Sequence, residues 1–186
     1  MTPLYAALAL LAFAALLVAL SYNHLVRLRN KVTQAWQDVD VQLQRRHDLI
    51  PRLVEVVRGY AAHESALFEQ LARLRSEAQR ASGAAAKSEP ESELADALGG
   101  AIAVAESYPN LRASQNYLSL QKEIADTEDE ISAARFIYNG NVRIFNTRTQ
   151  TFPVSMYADV FGFEPAEYFQ ASSPDREPLS AVLGVD

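Results

Sequence analysis

The sequence contains no cysteine, which excludes a disulfide framework, thiolate metal sites and thiol catalysis. Charge is missing from its beginning: no Asp, Glu, Lys or Arg precedes Arg27. Basic charge is also short overall, with 17 Lys and Arg against 23 Asp and Glu and a net charge of −6. The chain therefore lacks the cationic face that neutralising nucleic-acid phosphates requires, and no nucleic-acid partner is expected. There is no internal repeat, no glycine-rich phosphate loop and no alternating stretch that reads as a strand.

What stands in the uncharged opening is an apolar run, LYAALALLAFAALLVAL, from Leu4 to Leu20. Extended from Pro3 to Tyr22 it gives roughly 20 residues, about 30 Å of helix, enough to cross the hydrocarbon core of a bilayer. A transmembrane anchor over residues 1–22 is predicted, meeting membrane lipid through residues 4–22. A cleaved signal peptide is the rival reading, since small residues such as Ala19 and Ser21 close the run. Against it, no basic residue precedes the run, and the run exceeds the usual apolar region of roughly 7–15 residues. Arg27, Arg29 and Lys31 follow the span, so the expected topology is single-pass in the cell membrane, N-terminus outside and the remainder cytoplasmic.

Beyond the anchor, Leu25, Val32, Trp36, Val39, Leu43, Ile50, Leu53, Val57, Tyr60, Leu67, Leu71 and Leu74 recur on alternating steps of four and three, the seam of a packed helix. The register runs through Pro51. Proline removes a donor and disfavours helical angles at Ile50, and Asp48 is a good N-cap, so a break is expected around His47 to Pro51. SGAAAKSEPESE, between Ala81 and Glu93, reads as a loop. A short helix is expected from about Ser92 to Glu106, and a long one from Leu111 to about Thr149 with Tyr117, Ile124, Ile131, Tyr138, Val142 and Phe145 inward. The segment VSMYADVFGFEPAEYF should add an aromatic coda, with Phe161, Phe163, Tyr168 and Phe169 folding back on the bundle or meeting a partner. Residues 171–186 read as a disordered tail. The fold class is all-α: one bundle over residues 23–170 behind the anchor.

Two stretches, SYNHLVRLRNKVTQAWQDVDVQLQRRHDLIPRLVEVVRGYAAHE and QKEIADTEDEISAARFIYNGNVRIFNTRTQTFPVSMYADVFGFEPAEYF, resemble the LemA family. The resemblance implies an antiparallel four-helix bundle behind one N-terminal transmembrane helix, with the chain turning near Pro51. It implies no molecular activity, since none is established for that family. Arg52 stands where many members carry Asn, Glu130 where they carry a basic residue, and Phe145 where Tyr is usual.

Charges interrupt the apolar seam. Arg46 shares it with Leu43 and Ile50, while Glu128 and Arg135 share the last helix's seam with Ile124, Ile131 and Tyr138. A buried charge needs a partner, so Arg46 is expected to pair with Glu128, and Arg135 to reach Asp38, Asp40 or Asp48. Such a network could line a ligand pocket, but it reads more simply as a device that fixes helix alignment. Asn23, Asn30, Asn139 and Asn146 could act likewise or be solvated. Trp36 reads as core.

Catalytic patterns are absent. His63-Glu64 opens like a zinc-protease motif, yet Leu67 stands where the second histidine belongs. His24, His47 and His63 read as polar surface residues, and the acidic run from Asp126 to Glu130 lacks the Glu-x-x-His repeats of a di-metal bundle. No enzyme activity, metal or cofactor is expected. The reading is an anchored interaction or structural module, partnered by copies of itself or by another membrane protein. The alternative is a regulatory adaptor or sensor for a membrane protein such as a protease or an envelope-stress component.

Overall fold

The computed structural model describes residues 2–61 and 63–170, so the expected disordered tail lies outside the described residues. Among those residues every regular element is helical: α1 (Thr2–Arg58), α2 (Ser65–Arg80), α3 (Ala84–Glu106), α4 (Pro109–Arg112) and α5 (Gln115–Gln150), then 3-10 turns at Val154–Met156 and Asp159–Phe161. The chain forms two compact units. The first comprises Met1–Gln42 and Asp129–Tyr168, and the second Leu43–Glu128 and Phe169–Asp186.

The second unit is an up-and-down bundle of four helical segments. Arg58 lies 5.8 Å from the Phe68 ring beside the α1–α2 connection, and further along Arg75 meets His47, so α2 runs back along α1. Glu123 pairs with Arg52 and Glu128 with Arg46, which sets α5 antiparallel to α1. Tyr117 meets Ile102 near the α3–α5 connection, while Glu91 and Glu128, farther from it on each helix, share Arg46, setting α5 antiparallel to α3. Leu49, Ile50, Leu53, Val57, Phe68, Leu71, Leu74, Leu94, Leu98, Leu111, Tyr117 and Ile124 form one continuous core. Each segment thus buries the stripe that its apolar spacing marks out.

The break expected at His47 to Pro51 does not occur. Pro51 lies inside α1, and Asp48, far from capping a new helix, is an exposed mid-helix residue accepting a hydrogen bond from Gln44 at 2.9 Å. The physical reason comes from α2. In a regular helix the His47 carbonyl would accept from the amide four residues on, and Pro51 has none to give. Arg75 supplies the donor instead, its Nε donating to the His47 oxygen at 2.8 Å. With the orphan carbonyl satisfied, the main penalty that makes proline a helix breaker is offset.

A second correction concerns the expected loop from Ala81 to Glu93. Only residues 81–83 leave the helix; Gly83, at φ 88°, takes a backbone angle that side chains disfavour, and α3 begins at Ala84. The Ala, Lys and Glu of this stretch are strong helix formers, and Pro90 leaves its missing bond beside exposed Ala86, where water can reach.

In the first unit α1 packs on the second half of α5. Leu25, Val32 and Val39 are buried, as are Ile131, Tyr138, Val142 and Phe145, and Trp36, half-buried, lies 5.2 Å from the Tyr138 ring. The chain after α5 folds back over this pair. Phe163 is buried with its ring 5.4 Å from Tyr22 and 6.5 Å from Phe145. Two side chains of α5 tie the segment down: Tyr138 donates to the Glu167 carbonyl at 2.7 Å, and buried Asn146 both donates to the Ala166 carbonyl and accepts from its amide, each at 2.8 Å.

Candidate functional site

Where α1, α3 and α5 converge in the second unit, Arg46 is almost wholly buried. Its Nη1 donates to both Glu128 carboxylate oxygens, at 3.0 and 3.2 Å. Its Nη2 donates to the Glu91 carboxylate and, at 3.0 Å, to the Glu91 carbonyl. His47, equally buried, places Nε2 3.0 Å from the other Glu91 oxygen, an ion-pair distance without hydrogen-bond alignment. One guanidinium thus spans two helices through their carboxylates, which suits its planar fork.

The electrostatics favour an ionised Glu91. Burial alone pushes its carboxyl upward, but the close approach of the His47 imidazole and the positive charge of Arg46 outweigh that effect and hold it below the ordinary value. Arg46 Nε and His47 Nδ1 are buried without a hydrogen-bond partner. Among the described residues no three His, Asp or Glu side chains converge as metal ligands would. One guanidinium and two carboxylates from α1, α3 and α5 thus meet in a single ion-pair centre.

Of the residues expected in the network, Arg46 and Glu128 meet, whereas Asp48 and Arg135 stand outside it. Asp48 faces solvent, and Arg135 is half-buried and joins none of the ion pairs among the described residues. His47 is not a surface residue. Read from the sequence, His47 falls on the surface and Glu91 in a loop, yet Glu91 continues the i, i+3, i+7 register of Leu94 and Leu98 and His47 lies between Leu43 and Ile50 on theirs. Asn146, one of the four asparagines weighed between inward hydrogen bonding and solvation, bonds to Ala166, while the role of Arg75 is illegible in the sequence because it acts on a backbone group 28 residues away.

The coda is split. Phe163 and Phe169 are buried, while Phe161 is 44% and Tyr168 39% exposed. A second open apolar face lies on α5 of the first unit, where Phe136 is 82%, Ile137 57% and Ile144 52% exposed, with Val41 of α1 at 64%. Between the two helices Val41 and Ile137 line a groove of about 300 Å³ with Glu130 on its edge. In the second unit Ile50, Val54, Phe68 and Ala72 line a cleft of about 570 Å³ with Arg58 and Arg75. Among the departures from the family pattern, Arg52 pairs with Glu123 at 3.0 Å on the surface and Phe145 packs in the core.

The profile of the LemA family matches residues 35–181. The chain is 25% identical to Magnetosome protein MamQ 2 of Paramagnetospirillum magneticum, over 92% of this chain and 72% of that one. It is 24% identical to Magnetosome protein MamQ of Magnetospirillum gryphiswaldense, with the same shares covered. It is 28% identical to Protein LemA of Metamycoplasma hominis, over 83% of this chain and 71% of the other.

Proposed function

This chain belongs to the LemA family, and on that footing we propose that it is a membrane-anchored, non-enzymatic assembly module, crossing the membrane once, with its helical units cytoplasmic and bound to further copies of itself. The start of α1 is long and apolar enough to span a bilayer, and none of its most apolar window is buried within the chain. Arg27, Arg29 and Lys31 follow it, the flank that stays on the cytoplasmic side.

The observation that carries the assembly reading is the open face of α5. Ile137 and Ile144 stand one heptad apart with Gly140 between them, no atom crowds the space above Gly140, and Phe136 extends the stripe. A helix face with the spacing of a packing seam, uncovered by its own chain, fits a matching face on another copy. Tethering raises the local concentration of such faces, so weak lateral contacts become populated.

The absence of cysteine makes the test clean. Ile137→Cys and Ile144→Cys, oxidised in native membranes, should each give disulfide-linked dimers, and Ser82→Cys should not. Monomer alone at both α5 positions, with recovery of one other membrane protein by crosslinking, overturns self-assembly and supports an adaptor.

A further inference from the structure

We propose that the outer side of the coda, formed by Phe152, Met156, Val160 and Phe161, seats in the interfacial layer of the bilayer beside the anchor, giving the protein a second membrane contact. These side chains are 74%, 73%, 82% and 44% exposed, although other residues of the same segment are buried. Their position is set by the first unit's own contacts. The Phe161 and Phe163 rings each lie 5.4 Å from Tyr22, at the end of the apolar span. Thr151, next to Phe152, lines a small cavity with His24.

Within residues 3–22, the described side chains that are partly covered are Val18 and Ser21. With Tyr22 and Leu25 they make one face, at i, i+3, i+4 and i+7. The covered face is the one that meets the coda, so the coda reaches the last turn of the lipid-facing segment. An apolar surface continuous with a membrane span meets the same solvent as the span, and its rim has the charge that such a surface calls for. Arg27, Arg29, Arg143 and Arg148 stand near this end of the unit, Arg29 stacked 5.1 Å over Phe163, where anionic headgroups attract cations. Asp159, Glu164 and Glu167 are the acidic residues of the segment, all exposed.

The proposal rests on the anchor crossing the membrane, and its test separates the two. Spin labels on Met156→Cys, Val160→Cys, Leu17→Cys and Ser82→Cys of the full-length chain, in vesicles of phosphatidylethanolamine and phosphatidylglycerol, are read for collision with oxygen and with a water-soluble nickel chelate. The expected result is an oxygen-to-nickel ratio at positions 156 and 160 several-fold above that at 82 and approaching that at 17. Water-like ratios at 156 and 160 with a lipid-like ratio at 17 overturn the proposal and leave the anchor standing. Shielding from both reagents at 156 and 160 overturns it in favour of a protein contact. A water-like ratio at 17 overturns the anchor and the proposal together.

Discussion

Pro51 and Arg75 should be energetically coupled although they lie on different helices. The Arg75 Nε–His47 carbonyl bond is 2.8 Å long and part-buried, and hydrogen bonds from charged donors contribute about 1.5–3 kcal/mol. Arg75→Met keeps the aliphatic stem and removes the donor, leaving the carbonyl unsatisfied, so a loss of about 2 kcal/mol is expected. In a Pro51→Ala background the new amide at position 51 can take that carbonyl within the helix. Pro51→Ala should therefore stabilise the protein by up to about 3 kcal/mol, and Arg75→Met should then cost only about 0.5 kcal/mol, a coupling of roughly 1.5 kcal/mol. Urea unfolding of the four full-length variants in detergent, followed by helical circular dichroism at constant m, measures this cycle. Equal Arg75→Met losses in both backgrounds would refute the account of how α1 tolerates its proline.

Arg46→Ala should destabilise the second unit by about 3–5 kcal/mol, because it strands the buried Glu91 carboxylate; Glu128→Gln, at a carboxylate 37% exposed, should cost about 1 kcal/mol or less in the same unfolding assay. Glu91 titrates below its ordinary value of 4.5 in the folded protein. Its contribution is therefore complete above that value and is lost as pH falls through the lower folded value. Glu91→Gln should flatten this acid limb of the stability profile; an unchanged limb contradicts the pairing. Asn146→Ala removes both bonds to Ala166, so hydrogen exchange at the Ala166 amide should speed up sharply while α5 keeps its protection.

The heptad of the sequence was readable because each seam residue reports its own helix: Leu25, Val32, Val39, Leu43, Tyr138 and Val142 need no knowledge of their neighbours to be placed inward. Pro51 was misread because the rule for proline is local, while the donor that rescues it comes from α2. Glu91 was hidden for a related reason: Gly83, Ser88 and Pro90 look like loop residues singly, yet the Ala-rich run around them forms a helix. The coda had no period to read. Which of Phe161 and Phe163 is buried depends on where Tyr22 and Phe145 stand, and that is a property of the folded pair.

The account's central claim is that this anchored chain works as an assembly of copies joined through the open face of α5. Single-molecule photobleaching of the full-length protein, fluorescently tagged and expressed at native abundance in its own membrane, tests it most directly. The account predicts spots that bleach in several steps, and predicts that Ile137→Asp together with Ile144→Asp shifts them to single steps while helicity is retained. Single-step bleaching of the unaltered protein would contradict it.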